Sequence, residues 1–289
     1  MTPVPSTVAP RRRADGTAKL AFLAVSIVFS IFFIMPIVWS FANSFKPAAE
    51  ALAHPVALFS KAFSLENYRR LEHVGAGWYV YALNSVAIAI GTVVLTVLIS
   101  VPAGYGFSKF RFPGQSLIFI MVMATMMIPF QSILTPLFLI LKVIHLQNSL
   151  VGLVLIYVTF QLPFSIFMMR NAFDAVPQAL IEAGRIDGAS QTTILRRIML
   201  PIALPGVATV AMFAFLNSWN EFLAALIFLS EQNKFTLPIM LVNVSSGMYG
   251  IIDWGALQAG ITVTMIPCLL LFFLLQRYYV RGLTAGAVK

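Results

Sequence analysis

The sequence predicts an all-α membrane protein with about six transmembrane helices and both termini in the cytoplasm. Three observations carry that prediction. Of the 289 residues 60% are hydrophobic and only 10% are charged, whereas soluble domains carry roughly a quarter charged residues. The apolar residues fall in repeated runs of about twenty, the length that crosses a ~30 Å hydrocarbon core at ~1.5 Å per residue. The net charge of +9 and pI near 9.9 come from basic residues scattered among the connections, so they report orientation rather than a nucleic-acid partner.

Residues 1–18 carry Pro3, Pro5, Pro10 and the Arg11-Arg12-Arg13 triplet with little to bury, and are expected to form a disordered cytoplasmic tail. The run 19–41 is the first transmembrane helix. It exceeds the 7–15-residue apolar core of a secretory signal and therefore reads as an uncleaved anchor. Residues 42–78 are an external loop in which Ser64 can cap a short helix.

Runs at 81–104, 117–140, 150–169, 203–229 and 257–275 supply the remaining spans of a core over 79–276, which includes a cytoplasmic loop at 170–202 and precedes a cytoplasmic tail at 277–289. This topology places most basic residues inside, among them Lys109, Arg111, Arg170, Arg185, Arg196, Arg197, Arg277 and Arg281. Lys46, Lys61, Arg69, Arg70, Lys142 and Lys234 fall outside.

Prolines 36, 102, 129, 136, 163, 205 and 267 lie in or beside the spans. They serve as hinges or are simply tolerated where neighbouring helices satisfy the backbone. Ala87 and Gly91 form a small-x-x-x-small pair suited to close helix contact. Pro238, Gly247, Gly250 and Asp253 in a second outer loop predict, with the first, an external docking surface.

The chemistry-bearing inventory is short. Cys268 is the single cysteine, which excludes an intramolecular disulfide, and His54, His73 and His145 stand alone. There is no G-x4-G-K-[ST] loop, catalytic triad or credibly spaced carboxylate pair, so the chain is expected to be no enzyme and to hold no metal or cofactor.

Residues 182–201, EAGRIDGASQTTILRRIMLP, are too polar for hydrocarbon and sit between apolar runs. Pro177 suits a helix start, and Leu180, Ala183 and Gly184 then share a face. Gly188 interrupts that helix. Ser190 can cap a second, in which Ile194, Leu195, Ile198 and Met199 form an apolar stripe beside Arg196 and Arg197, before Leu200-Pro201 ends it. The residues allow two readings: a hairpin docked on a protein, or one lying on the inner leaflet.

Farther along, Asn217, Asn220 and Glu221 are predicted to share one helical face as a cavity lining, an interfacial acid or a fold-holding pair. Trp219 points elsewhere, as a sugar contact or an interfacial anchor. Gln131 is a further candidate for the path.

The segment Glu182-Ala183, Gly188, Ile198, Leu200-Pro201 resembles the E-A-A-x3-G-x9-I-x-L-P motif of ABC importer permeases, with Gly184 replacing its second alanine. Met127-Ile128-Pro129-Phe130-Gln131, Gln161-Leu162-Pro163-Phe164, Trp219-Asn220-Glu221-Phe222 and Arg281-Gly282-Leu283-Thr284-Ala285-Gly286 are similar to the carbohydrate-uptake (MalG-like) family. The resemblance covers about 63–289. It implies a type I importer (MetI-like) fold and transport by alternating access.

In such a family the loop seats on a cytoplasmic ATPase. Glu182 would then pair with a basic residue there, Gly188 would make the turn, and Ala183, Gly184, Asp187, Ile194, Ile198, Leu200 and Pro201 would complete the coupling element, its apolar stripe acting as the anchor. Thr284, Ala285 and Gly286 are implied as a second ATPase contact. The implied partners are a homologous permease, two ATPase subunits that bind ATP and Mg, an external solute-binding protein and a sugar. Alternatives are another solute (glycerol phosphate, amino acid or peptide), an ion-coupled transporter using Glu221, or a membrane sensor that does not transport.

Overall fold

The computed structural model describes residues 16–53, 62–247 and 252–287, and among them there is no β-strand. Residues 1–15 of the tail expected over 1–18, and His54, Lys61 and Gly250, lie outside these residues. Helices α1 (Gly16–Ser44), α2 (Ala48–Ala53) and α3 (Glu66–Glu72) lead to the long α4 (Trp78–Lys109). Then come α5 (Gln115–Ala124), α6 (Leu134–Val143) and α7 (Leu150–Asp174). A hairpin of α8 (Gln178–Ile186), α9 (Gln191–Ile194) and α10 (Leu200–Ile202) follows. The chain ends with α11 (Leu204–Asn220), α12 (Leu223–Phe228), α13 (Leu237–Ser246) and α14 (Trp254–Ala287).

Four helices are long and apolar enough to cross a membrane, and six spans result if two bent pairs each count as one. The expected span 117–140 is not one straight helix. It turns by 95° between Met127 and Phe130, because a residue before proline is pushed out of the α region and Ile128 adopts φ −77°, ψ 118°. The expected span 203–229 is likewise divided. Asn220 ends α11, and Glu221 is extended at φ −73°, ψ 127°. By contrast α1, α4, α7 and α14 continue through Pro36, Pro102, Pro163 and Pro267. The expected C-terminal tail continues α14 as far as Ala287, and the residues from Gly16 already belong to α1.

The most extensive helix pair is α4 with α7, and α11 packs across α4. Gly104 sets that approach: a Cβ there would stand 2.8 Å from the Arg170 backbone nitrogen and against Met169. Gly91 touches Val154 of α7 as the small-residue pair predicts, but Ala87 is exposed. The α8–α9 end buries Val101, Tyr105, Met169, Phe173, Ile181, Ile194 and Met199 in one cluster. The opposite end buries Leu71, Tyr81, Trp219, Leu237 and Met240.

At that opposite end the short helix predicted near Ser64 is α3, but Leu65 and not Ser64 holds the cap position, the Ser64 hydroxyl accepting from Glu66 N–H one residue farther out. Arg70 donates to Asp253 at 2.9 Å, and Asp253 accepts from Ala256 N–H at the start of α14. The two loops expected to lie outside are thereby joined. Helix α1 packs along α14 and leaves its flanks bare, as a lipid-facing span does.

Candidate functional site: a docking hairpin and a polar cavity

Two places concentrate polar residues that the packing alone does not require. The first is the α8–α9 hairpin. Pro177 stands at the cap position before α8, one residue earlier than a first-turn proline. The helix ends in a paired closure: Gly188 N–H donates to Arg185 C=O at 3.0 Å and Ala189 N–H to Gly184 C=O at 2.9 Å. Gly188 sits at φ +77°, the left-handed conformation this closure needs. Ser190 then caps α9, its hydroxyl accepting from Thr193 N–H.

The buried face of α8 differs from the predicted one. Ile181 and Gly184 are buried, whereas Leu180 and Ala183 point outward. The reason is the return strand of the hairpin: Gly184 lies under Ile194 and Ile198, close enough that a Cβ would stand 2.8 Å from Ile198 Cδ1. The glycine that departs from the E-A-A pattern thus admits Ile198.

The apolar stripe is also committed inward. Ile194 and Met199 are fully buried, and Leu195, Ile198 and Leu200 pack on the same cluster. It anchors the hairpin to its own chain and is not free to anchor a partner. What faces outward is Leu180, 41% exposed, and Ile186, 86% exposed, with Glu182, Ala183, Asp187 and Gly188 between and beside them. Glu182 forms no ion pair among the described residues.

Pro201 does not end the second helix. Leu195–Met199 widen into a π turn, in which Leu200 N–H reaches back to Leu195 C=O, and Ala203 closes the element. A proline inside a helix clashes with the carbonyl four residues earlier, here that of Arg197, and the wider turn relieves it. The element then bends by 78° into α11.

Hydrogen bonds that no motif signalled tie the hairpin to α4, and the end of α4 to the end of α7 and the connection that follows it. Tyr105 donates to Gln191 Oε1 at 3.0 Å, Lys109 to Val176 C=O at 3.1 Å and Ser108 to Asp174 Oδ1 at 2.6 Å. Arg170 stacks over Phe119 at 4.2 Å. Tyr105, Ser108 and Lys109 recur at the last turn of α4, and only their clustering with Asp174 across the 170–202 loop could have marked them.

The second place is a cavity of about 330 Å³ lined by Thr92, Tyr157, Gln161, Asn217, Ser218 and Glu221 among others. Asn217 donates to Gln161 Oε1 at 2.8 Å, and Gln161 Nε2 donates to Ser165 at 3.2 Å. Tyr157 donates to Glu221 Oε2 at 2.6 Å. Glu221 also accepts from Ala224 N–H at 2.9 Å and from Ala225 N–H at 3.2 Å. The acid, one residue before the cap position Phe222, therefore closes off first-turn N–H groups of α12, and the break in the helix is what turns it toward α7.

The predicted shared face of Asn217, Asn220 and Glu221 is accordingly split. Asn217 and Glu221 both line the cavity, but Asn220 lies outside the lining and bonds back to Leu216 C=O. Gln131, exposed on the turn after Pro129, lies outside the lining. Trp219 is 1% exposed, stacks on Phe215 and donates to Thr264 C=O of α14. It is neither a cavity contact nor an interfacial anchor. Thr284, Ala285 and Gly286 lie on the last turns of α14. His73 and His145 are exposed, and no cluster of metal ligands occurs among the described residues.

A bundle of broken and unbroken spans, a polar crevice at a helix break and an amphipathic helical hairpin packed on the span ends suit a transmembrane transport subunit. The chain belongs to the binding-protein-dependent transport system inner membrane component family, whose family model matches residues 96–285. It is 34% identical over 286 residues to the diacetylchitobiose uptake system permease protein NgcG of Streptomyces coelicolor, spanning 96% of this chain and 92% of that protein. It is 32% identical to the arabinooligosaccharides transport system permease protein AraQ of Bacillus subtilis, spanning 94% and 96% respectively.

Its fold is similar to a chain of a bacterial ABC transporter that imports the acidic polysaccharide alginate. That match has a TM-score of 0.79 at 21% identity and covers 94% of this chain and 99% of the other. The protein is a membrane-embedded permease subunit of a binding-protein-dependent importer.

Proposed function

We propose that this subunit imports a carbohydrate, pairing with a homologous permease above two ATPase subunits, and that its hairpin and both termini face the cytoplasm. The sugar class follows from the names of the relatives. The observation that supports coupling best is the two-sidedness of the hairpin. Its inner face is built into the α4 and α7 ends, while Leu180, Glu182 and Ile186 remain outward. A partner that moves this surface moves the span ends with it, and closure of the ATPase pair would bias the bundle between two packed states.

In this reading ATP and Mg belong to the ATPase subunits, and Thr284, Ala285 and Gly286 supply a second contact to them. Glu221, already used by Tyr157 and by two backbone donors, serves as a structural group beside the path rather than as a coupling-ion site.

The test is uptake of labelled neutral di- and trisaccharides in a strain deleted for this chain and complemented with it. Complemented cells are expected to take up at least one such sugar when an ionophore has collapsed the membrane potential while ATP remains, and to stop when ATP is depleted. Uptake that follows the ion gradient at constant ATP would overturn the proposal.

A further inference from the structure

We infer that the cavity between α4, α7 and the α11–α12 break is where this chain touches the transported molecule, and that it admits uncharged polyhydroxylated solutes while excluding anionic ones. The inference rests on the importer reading above and names the solute chemistry it takes. Its first support is an unused group. Thr92, 1% exposed, lines the cavity, and its hydroxyl has no hydrogen-bond partner among the described residues. A buried hydroxyl left unpaired is destabilising, and a substrate hydroxyl reaching it would remove that penalty.

The second support is the composition of the walls. Gln161 and Asn217 offer amide donors and acceptors, which match hydroxyls of either polarity. Both residues, with Phe130 and Phe160, are shared with an adjoining cavity of about 830 Å³ that adds Phe164 and Phe213. Apolar ring faces beside hydrogen-bonding amides suit the two kinds of surface a sugar presents.

The third support is charge. Neither cavity has a Lys, Arg or His in its lining, and the one ionisable carboxyl is Glu221. Its oxygens accept from a phenol and two backbone N–H groups, the role of an ionised carboxylate. A second negative charge held about 6 Å away at an effective dielectric of about 20 would bind on the order of 100-fold more weakly. A neutral solute pays no such penalty. Sugar phosphates, glycerol phosphate and uronates are therefore excluded at this step, whatever the binding protein delivers.

The experiment uses the complete transporter in nanodiscs, carrying Phe160→Cys, at a half-buried position that lines both cavities, in a Cys268→Ser background, and measures the rate at which a neutral maleimide labels Cys at position 160. A neutral saccharide that the cells import is expected to slow labelling at least fivefold, while an alginate disaccharide at the same concentration leaves it unchanged. Glu221→Gln is expected to let the anionic disaccharide protect as well. Asn217→Lys, which offsets the same charge without touching the start of α12, should do likewise and covers the case in which Glu221→Gln fails to assemble.

Failure of an imported neutral sugar to protect would overturn the inference alone, as would equal protection by both sugars in the unaltered cavity. So would persistent exclusion of the anion in whichever of the two charge variants assembles. Absence of uptake for every neutral sugar would instead overturn the importer reading, and this inference with it.

Discussion

Replacing Gly188 with a graded set of residues isolates the turn of the hairpin from everything around it. The position holds φ +77°, and a Cβ built there meets nothing within 4 Å, so the effect of a side chain is conformational and not steric. An L-residue in the left-handed region loses about 1–2 kcal/mol, and asparagine less. Proline is worse for two reasons: its φ is fixed near −65°, and it lacks the N–H that donates to Arg185 C=O. Together these come to roughly 3 kcal/mol or more, over a hundredfold in the population of the correctly folded hairpin.

The expected order of ATP-coupled uptake is Gly ≈ Asn, then Ala, then Pro, with Pro losing coupling while the complex remains in the membrane. The assay is substrate-stimulated ATP hydrolysis and uptake by the reconstituted transporter. Full coupling in Gly188→Pro, or a loss in Gly188→Asn as deep as in Gly188→Pro, would refute the role of the turn.

Other substitutions test neighbouring parts of the structure. Gly104→Ala should destabilise the complex by about 1–3 kcal/mol, as overpacking does, because its Cβ meets the Arg170 backbone; thermal unfolding in detergent reads this, and an unchanged midpoint contradicts it. Gly184→Ala meets only the mobile end of Ile198 and gains about 1 kcal/mol of helix propensity, so coupling should be preserved. Tyr105→Phe removes the bond to Gln191 and should weaken coupling by about 1 kcal/mol without unfolding the protein, read as a lower ratio of sugar transported to ATP hydrolysed.

Hydropathy located the runs that form the four unbroken membrane-length helices, because a twenty-residue apolar run has few other uses, and the polar stretch between apolar runs located the hairpin with its Gly188 turn and Ser190 cap. What composition could not reveal was where a run stops being straight. Ile128-Pro129 and Glu221 break their helices through local backbone preferences that only the tertiary setting realises; tolerated prolines at 102 and 163 look the same in sequence. The face of α8 was misread for a related reason. Leu180 and Ile181 are equally apolar neighbours, and only the return of Ile194 and Ile198 over Gly184 decides which is buried. Asn217 and Glu221 were legible as polar groups within an apolar run. Their partners Tyr157, Gln161 and Thr92 were not, since ordinary polar residues on two other helices become a site only through the packing of α4, α7 and α11.

Coupling through the outward face of α8 is tested most directly by Glu182→Lys in the complete reconstituted transporter, with uptake and ATP hydrolysis measured on the same vesicles. Glu182 is exposed and forms no side-chain hydrogen bond or ion pair among the described residues, so the subunit is expected to assemble normally while uptake falls by at least tenfold at any given ATP concentration. Sugar uptake at the unaltered rate, with the charge reversed at the centre of that surface, would contradict it.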